Sequence, residues 1–225
     1  MAGAVGQDLN RPRLAGHATA PRGCGTRWHS AVVAAIAATA LRLFLRTGFD
    51  GVSVTEIAQE AEVSRRTLFT HFPTKEDLVL HLLADHQDQV ARTVQTRRLG
   101  QPPLEALREA LLNAGREHDA NTGLNDSPES LAFYQLVTGT ESLAAKLTHY
   151  AARGIDSLAD ELAAAGFDAL TARLTATQVI ALERELANMN HQSLAGGESA
   201  ADRYPKAVQG AERAYDLLHN ALGSR

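Results

Sequence analysis

Between Ser64 and Lys75 the chain reads Ser-Arg-Arg-Thr-Leu-Phe-Thr-His-Phe-Pro-Thr-Lys, a run that gathers hydroxyl, guanidinium, aromatic and imidazole groups without one acid. In a helix, Leu68 and Phe72 lie four apart and make an apolar underside. That turns Arg65, Arg66, Thr67, Phe69 and Thr70 toward the outer face, with His71 at its rim. Two adjacent guanidinium groups on such a face suit phosphate oxygens or the O6 and N7 edge of guanine. Taken alone, two arginines on a short helix are more often solvated charge, so the weight of the argument falls on what positions them.

The positioning elements are written in the caps. Ser53 with Glu56 forms a Ser-x-x-Glu capping box, which opens a short helix whose buried face is Val54, Ile57, Ala58 and Ala61. Ser53 and Thr55 place hydroxyls at the start of that helix. The turn Ala61-Glu62-Val63 follows, and Ser64 caps the second helix. Pro73 ends it, and Thr74 with Asp77 caps the next. Small Ala58 lets the second helix cross the first closely, Val63 plugs the turn, and the amides at Ser64 face outward, so the unit reads as a helix-turn-helix of the kind that enters a DNA major groove.

These residues resemble the N-terminal signature of tetracycline-repressor-like (TetR family) transcriptional regulators. The corresponding positions are Leu43, Phe44 and Gly48; Ser53, Ile57, Ala58, Ala61, Val63 and Ser64; and Thr67, Leu68, Phe69, His71, Phe72, Lys75, Glu76 and Leu78, covering about 27 to 80. The resemblance implies DNA contacts from Thr67, Phe69 and His71, and a phosphate contact from Lys75. Three positions depart from the pattern. Glu62 stands where a turn glycine is usual, at a cost of roughly 1 kcal/mol if the backbone there is left-handed. Phe69 replaces a common tyrosine and lacks its hydroxyl. Arg66 stands where glycine is frequent and adds a cationic arm. A shifted operator preference is expected from these changes.

The 225 residues suffice for a small DNA reader and a larger helical body. Net charge is -4, which excludes a generally basic nucleic-acid coat, yet its distribution is uneven: residues 1–75 hold 9 basic and 5 acidic residues, leaving 13 basic and 21 acidic for 76–225. A basic end and an acidic body fit a reader at one end only. The expected division is a flexible basic arm over 1–26, carrying Arg11, Arg13 and Arg22, a helix-turn-helix domain over 27–75, and a helical domain over 76–225. A single cysteine, Cys24, and the lack of an apolar run of eighteen residues point to a cytoplasmic protein with no membrane partner.

Periodicity predicts an all-α chain of about nine helices. Trp28 to Arg46 is amphipathic and stopped by Gly48, and a fourth helix runs from about Glu76 to Arg98. Helices then follow at about 103–119, 128–138, 140–165, 168–195 and 200–222. In the last two, Val179, Leu182, Leu186 and Met189, and Tyr204, Val208, Ala211, Tyr215 and Leu218, form stripes that face either their own core or a second copy of the chain. The resemblance implies the second, a homodimer placing two recognition helices on successive faces of a near-palindromic double-stranded DNA operator. It also implies a small-molecule effector in the body that releases the protein from its operator. Phe133, Tyr134, His149, Tyr150 and Met189 are candidates to line its site, each also an ordinary candidate for core.

Competing classes find less support. An all-α di-iron enzyme needs two Glu-x-x-His pairs and none occurs; His-Glu-x-x-His, Gly-x-Ser-x-Gly and Walker patterns are absent too. No catalytic residue, cofactor or metal is therefore expected. A helix-turn-helix that serves protein interaction instead of DNA is the remaining alternative.

Overall fold

The computed structural model describes residues 23–223, with side chains described for 31–81 and 88–221. Residues 1–22 of the arm expected over 1–26 lie outside the described residues, and 23–26 belong to the first helix. Among the described residues there are ten α-helices, one 3-10 turn and no strand: α1 (Gly23–Thr47), α2 (Val54–Glu60), α3 (Arg65–His71), α4 (Lys75–Gln87), α5 (Gln89–Gln95), α6 (Pro103–Arg116), α7 (Pro128–Gly139), α8 (Glu141–Ala164), α9 (Ala169–Ala195) and α10 (Ala200–Gly223). The all-α architecture matches the expectation from periodicity. α1 begins at Gly23, before the point where its sequence becomes periodic, and closes on Gly48 in the left-handed conformation (φ 83°), whose N–H donates to the Phe44 carbonyl at 2.8 Å.

The tenth helix arises because the expected fourth helix is two. It breaks at Asp88, a residue poorly suited to a helix interior, whose carboxylate accepts from the Ser157 hydroxyl of α8 at 3.3 Å. Arg97 closes α5 by donating to the carbonyl of Val94, one of the acceptors left open in the last turn, and to that of Gln101 beyond it.

Two cores organise the chain. In the first, Ile36, Leu43 and Phe44 of α1, Ile57 and Ala58 of α2, Leu68 of α3 and Phe72 pack with Leu78, Val79 and Leu80 of α4. It continues past residue 75 into the body, taking in Val137 of α7 and Leu143 of α8; α1 meets α7 as α4 meets α8, so the head is not tethered by α4 alone. The second core joins Val94 of α5, Leu104 and Leu107 of α6, Leu158 and Leu162 of α8, Ala172, Ala176 and Val179 of α9, and Tyr215 and Leu218 of α10.

This second core redirects part of the stripe read as a dimer seam. Val179, Ala211, Tyr215 and Leu218 are buried inside the chain, and Leu182 packs against the same core. Leu186, Tyr204 and Val208 line a small internal space between α6, α9 and α10. Periodicity marked the apolar face correctly, but α6 fills it. Met189, at 48% exposure, is the member of the set that remains outside.

The body is also pinned at the 3-10 turn over 120–122. Gly123, at φ 72°, follows it so closely beneath α9 that a Cβ there would lie 2.2 Å from the Ala187 carbonyl oxygen. Asn190 donates from Nδ2 to the Thr122 carbonyl at 2.8 Å and accepts from Arg203 Nε at 2.9 Å, tying the turn, α9 and α10 together.

Candidate nucleic-acid interface and body cavities

The reading surface is assembled by its caps. Ser53 Oγ accepts from the Glu56 N–H at 3.1 Å and opens α2; Ser64 Oγ accepts from the Thr67 N–H at 3.0 Å and opens α3. Between them Glu62 has φ 54°, so the residue replacing glycine does hold the left-handed conformation its position demands. Leu68 and Phe72 are buried, with Phe72 at the helix end rather than within it. Their burial fixes the rotation of α3, and Arg65, Arg66, Phe69 and Thr70 consequently stand on the exposed side.

Neither Arg65 nor Arg66 has an ionic or side-chain hydrogen-bond partner among the described residues, whereas Arg42 on α1 pairs with Glu60 at 3.1 Å. Phe69 is 41% exposed, an aromatic ring left in solvent on a face whose neighbours are cationic and hydroxylic. Thr67 is half-buried, its hydroxyl shared with Ser64 at 2.8 Å, and Thr70 bonds back to the Arg66 carbonyl at 2.8 Å. Ser53, Thr55 and Ser64 are exposed beside this face, and His71 is half-buried at its edge. Lys75 is held over the faces of Phe49 and Phe44, its ammonium 4.4 and 5.6 Å from the ring centres. The rings hold a cation at the first residue of α4, where the helix dipole alone would disfavour it.

A charged joint connects this head to the body. Thr74 and Asp77 cap α4 reciprocally, the Thr74 N–H donating to Asp77 Oδ2 at 2.9 Å and the Asp77 N–H to Thr74 Oγ1 at 3.3 Å. From α8, Lys146 meets Asp77 Oδ1 at 2.5 Å and Thr74 Oγ1 at 2.6 Å, and the Tyr150 hydroxyl donates to Asp77 Oδ1 at 3.2 Å. Burial pushes the Asp77 carboxyl up, but hydrogen bonds from Lys146 and Thr74 and the Lys146 charge outweigh it and hold it below its ordinary value.

Residues 36–82 match the family model for bacterial regulatory proteins of the tetR family. The head therefore carries the N-terminal domain of the tetR family. It is similar to the regulator TcmR of Streptomyces glaucescens, 32% identical over 108 residues that make up 48% of each chain. It is similar also to the uncharacterised regulator YuxN of Bacillus subtilis strain 168, 36% identical over 74 residues, 32% of this chain and 25% of that one. These matches span about half or less of the curated relatives' length. Among solved structures, NalD of Pseudomonas aeruginosa, described as the secondary repressor of the MexAB-OprM multidrug efflux pump, shares the fold at TM-score 0.56 and 19% identity, over 82% of this chain and 97% of that one.

In the body, two cavities flank α9, apart from a more polar groove between α5 and α8. The larger, about 450 Å³, lies between α7, α8 and α9 and takes in Phe133, Tyr134, Leu147, Arg184 and His191. Tyr134 stacks on His191 with ring centres 4.0 Å apart, and burial lowers the His191 basicity. Of the five effector candidates, Phe133 and Tyr134 reach this cavity. Tyr150 belongs to the joint, His149 is exposed and Met189 faces out, so those three lie outside this cavity: helical period alone does not separate the cavity side of α8 and α9 from their other faces. The second cavity, about 220 Å³, lies between α5, α6 and α9 and includes Val90, Leu107, Leu111, Ile180 and Glu183; Arg184 and Asn121 border both.

Glu183, His191 and Arg184 escaped sequence reasoning, since a lone charge on a long helix looks like solvated surface. Glu183 Oε1 accepts from the Tyr215 hydroxyl at 2.6 Å. Burial pushes its carboxyl up to about 7, and that hydrogen bond offsets it only in part; no cation contributes. The other charged groups bordering its cavity are Asp119, whose Oδ1 is taken by the Asn121 N–H at 2.8 Å, and Arg184. Among the described residues no cluster of His, Cys, Asp and Glu could hold a metal ion, and no helix is long and apolar enough to cross a membrane.

Proposed function

We propose that the chain is a homodimeric transcriptional repressor that reads a near-palindromic DNA operator through α3 and is released from it by a small molecule bound in the helical body beside α9. The observation that carries the reading is the unpaired Arg65–Arg66 face of α3, rotated outward by the burial of Leu68 and Phe72. Guanidinium groups free of intramolecular partners need no rearrangement before meeting phosphates or guanine edges. Thr67, Phe69, Thr70 and His71 supply apolar and hydrogen-bonding contacts to bases, while Ser53, Thr55, Ser64 and Lys75 position the head on the backbone. Binding of an operator fragment, followed by fluorescence anisotropy across a salt series, tests this. Replacing Arg65 and Arg66 together by alanine should weaken binding at least about thirtyfold and make the salt slope shallower by about 1 to 2, without loss of helicity. Unchanged binding would remove α3 as the reader.

Dimerisation is best served by the surfaces the second core leaves uncovered. Leu170, Leu174 and Ala181 share an exposed face of α9, and Leu217 stands 63% exposed on α10. Leu174→Glu should halve the mass measured by light scattering with secondary structure retained; an unchanged mass would put the interface elsewhere. Two heads so joined would meet major-groove faces about 34 Å apart, one helical turn, or somewhat more.

Release follows if the effector binds a dimer geometry that no longer spans the operator, by about 1.4 kcal/mol for each tenfold loss of operator affinity. The two cavities beside α9 are the place for it. α8 carries Leu147 and Thr148 into the larger one and, on neighbouring positions, Lys146 and Tyr150 onto Asp77 at the joint, so a displacement of α8 by a ligand is delivered to the first turn of α4.

A further inference from the structure

The effector site of the proposed function carries more chemistry than its size. Glu183 lies on α9 between two internal spaces, the cavity of about 220 Å³ toward α5 and α6 and a pocket of about 30 Å³ toward α10. The smaller has room for a water or so. In the larger, the carboxyl shares its walls with the aliphatic Val90, Leu107, Leu111 and Ile180 and with neutral polar side chains such as Gln89 and Thr93, and it has no hydrogen bond from the latter two. One oxygen is engaged by the hydroxyl of buried Tyr215; the other has no partner among the described residues, and it is not one of the sealed polar atoms of the chain. Arg184 borders the same cavity but is the next residue along the helix, turned about 100° away, and makes no ion pair with Glu183.

A carboxyl on the wall of a largely apolar cavity, with no ion pair to the one bordering cation, is an incomplete ion pair. Leaving it so costs free energy, and a cation supplied from outside recovers part of that cost while its apolar portion gains from burial. An anion would face repulsion from Glu183, and a neutral ligand would gain only the apolar part.

We propose that the cavity between α5, α6 and α9 takes a small amine with an apolar body, its ammonium seated on Glu183 and its hydrocarbon against Leu107, Leu111 and Ile180. The volume is below the roughly 300 Å³ at which pockets for drug-sized ligands begin, so the ligand is compact. This rests on the effector reading above and names the ligand class; it does not depend on the DNA contacts.

The test is titration calorimetry on the full chain, without DNA, using three probes of one shape: 4-phenylbutylamine, 4-phenyl-1-butanol and 4-phenylbutyrate. The amine should bind at least tenfold more tightly than the alcohol, and the carboxylate should show no binding. In Glu183→Gln, which keeps an acceptor for Tyr215, the amine should fall to within about twofold of the alcohol while the alcohol is unchanged. Ala110→Leu, which fills the cavity from α6, should remove both. Equal affinity of amine and alcohol for the native chain, an amine preference that survives in Glu183→Gln, unaltered amine binding in Ala110→Leu, or no binding of the amine at millimolar concentration would each overturn the proposal. Because the readout contains no DNA, a failure here leaves the Arg65 and Arg66 result standing, and a failure there leaves this one standing.

Discussion

Asp77, at the joint between head and body, and Glu183, beside the body cavity, are carboxyls treated in opposite ways by one fold. Asp77 is given an ammonium, a phenol hydroxyl, a backbone N–H and a threonine hydroxyl, and these hold it ionised in spite of burial. Glu183 is given a single neutral hydroxyl, and burial lifts it to about 7. Where every valence is met inside the chain, the carboxyl acts as a fastener, and here it fastens α8 to the first turn of α4. A carboxyl left short of partners lowers stability in the folded state, a pattern that recurs at binding sites. The head itself reverses the arrangement: its unmet charges, Arg65 and Arg66, point to solvent at no desolvation cost.

That contrast is open to direct attack by making each carboxyl neutral. The larger effect is expected at Glu183. Its unfolded carboxyl ionises near 4.5, but the folded one holds its proton to about 7. The native chain therefore loses stability as pH rises between those values and levels off above them, by roughly 3 kcal/mol in all. Glu183→Gln should match the native chain at pH 4 in urea unfolding and exceed it by up to about 3 kcal/mol at pH 8. A variant less stable than native at pH 8 would mean that the ionised carboxylate is already satisfied within the chain.

Asp77→Asn should move stability the other way by a smaller amount. The lowered value at Asp77 gives stability that is fully present above its unfolded value, near 3.9, and is lost as pH falls through the folded one. For this partly buried pair the loss at pH 7 should be about 1 to 2 kcal/mol, with native and variant converging in acid. If the variant were as stable as native at pH 7, the joint would be held by the apolar contacts of Leu78, Val137 and Leu143 alone.

The two regions also differ in how far the sequence discloses them. Ser53, Ser64 and Thr74 sit three residues from the groups they cap, so a short window contains the whole interaction, and Glu62 advertises its strain by standing where glycine is expected. Rotation of α3 then follows from Leu68 and Phe72. The body's helices were legible too, since their ends are marked by Pro103, Pro128, Gly166 and Gly197. What covers a stripe was not. The apolar faces of α9 and α10 have the same period whether they meet α6 or a second chain, and only tertiary placement reveals that Val179, Tyr215 and Leu218 are used internally. The cavity beside Glu183 is more remote from sequence still, because its walls come from Val90, Leu107 and Ile180, far apart along the chain. Asp88 divides a helix through a contact to Ser157 that no local pattern contains.

The central claim is that the Arg65–Arg66 face of α3 enters the major groove. The most direct measurement is protection of guanine N7 from methylation on the strongest genomic site recovered with the purified protein. Two protected half-sites centred about one helical turn apart, or somewhat more, both lost when Arg65 and Arg66 become alanine, are the predicted result. Protection confined to the minor groove, or a guanine footprint that persists in the double variant, would contradict it.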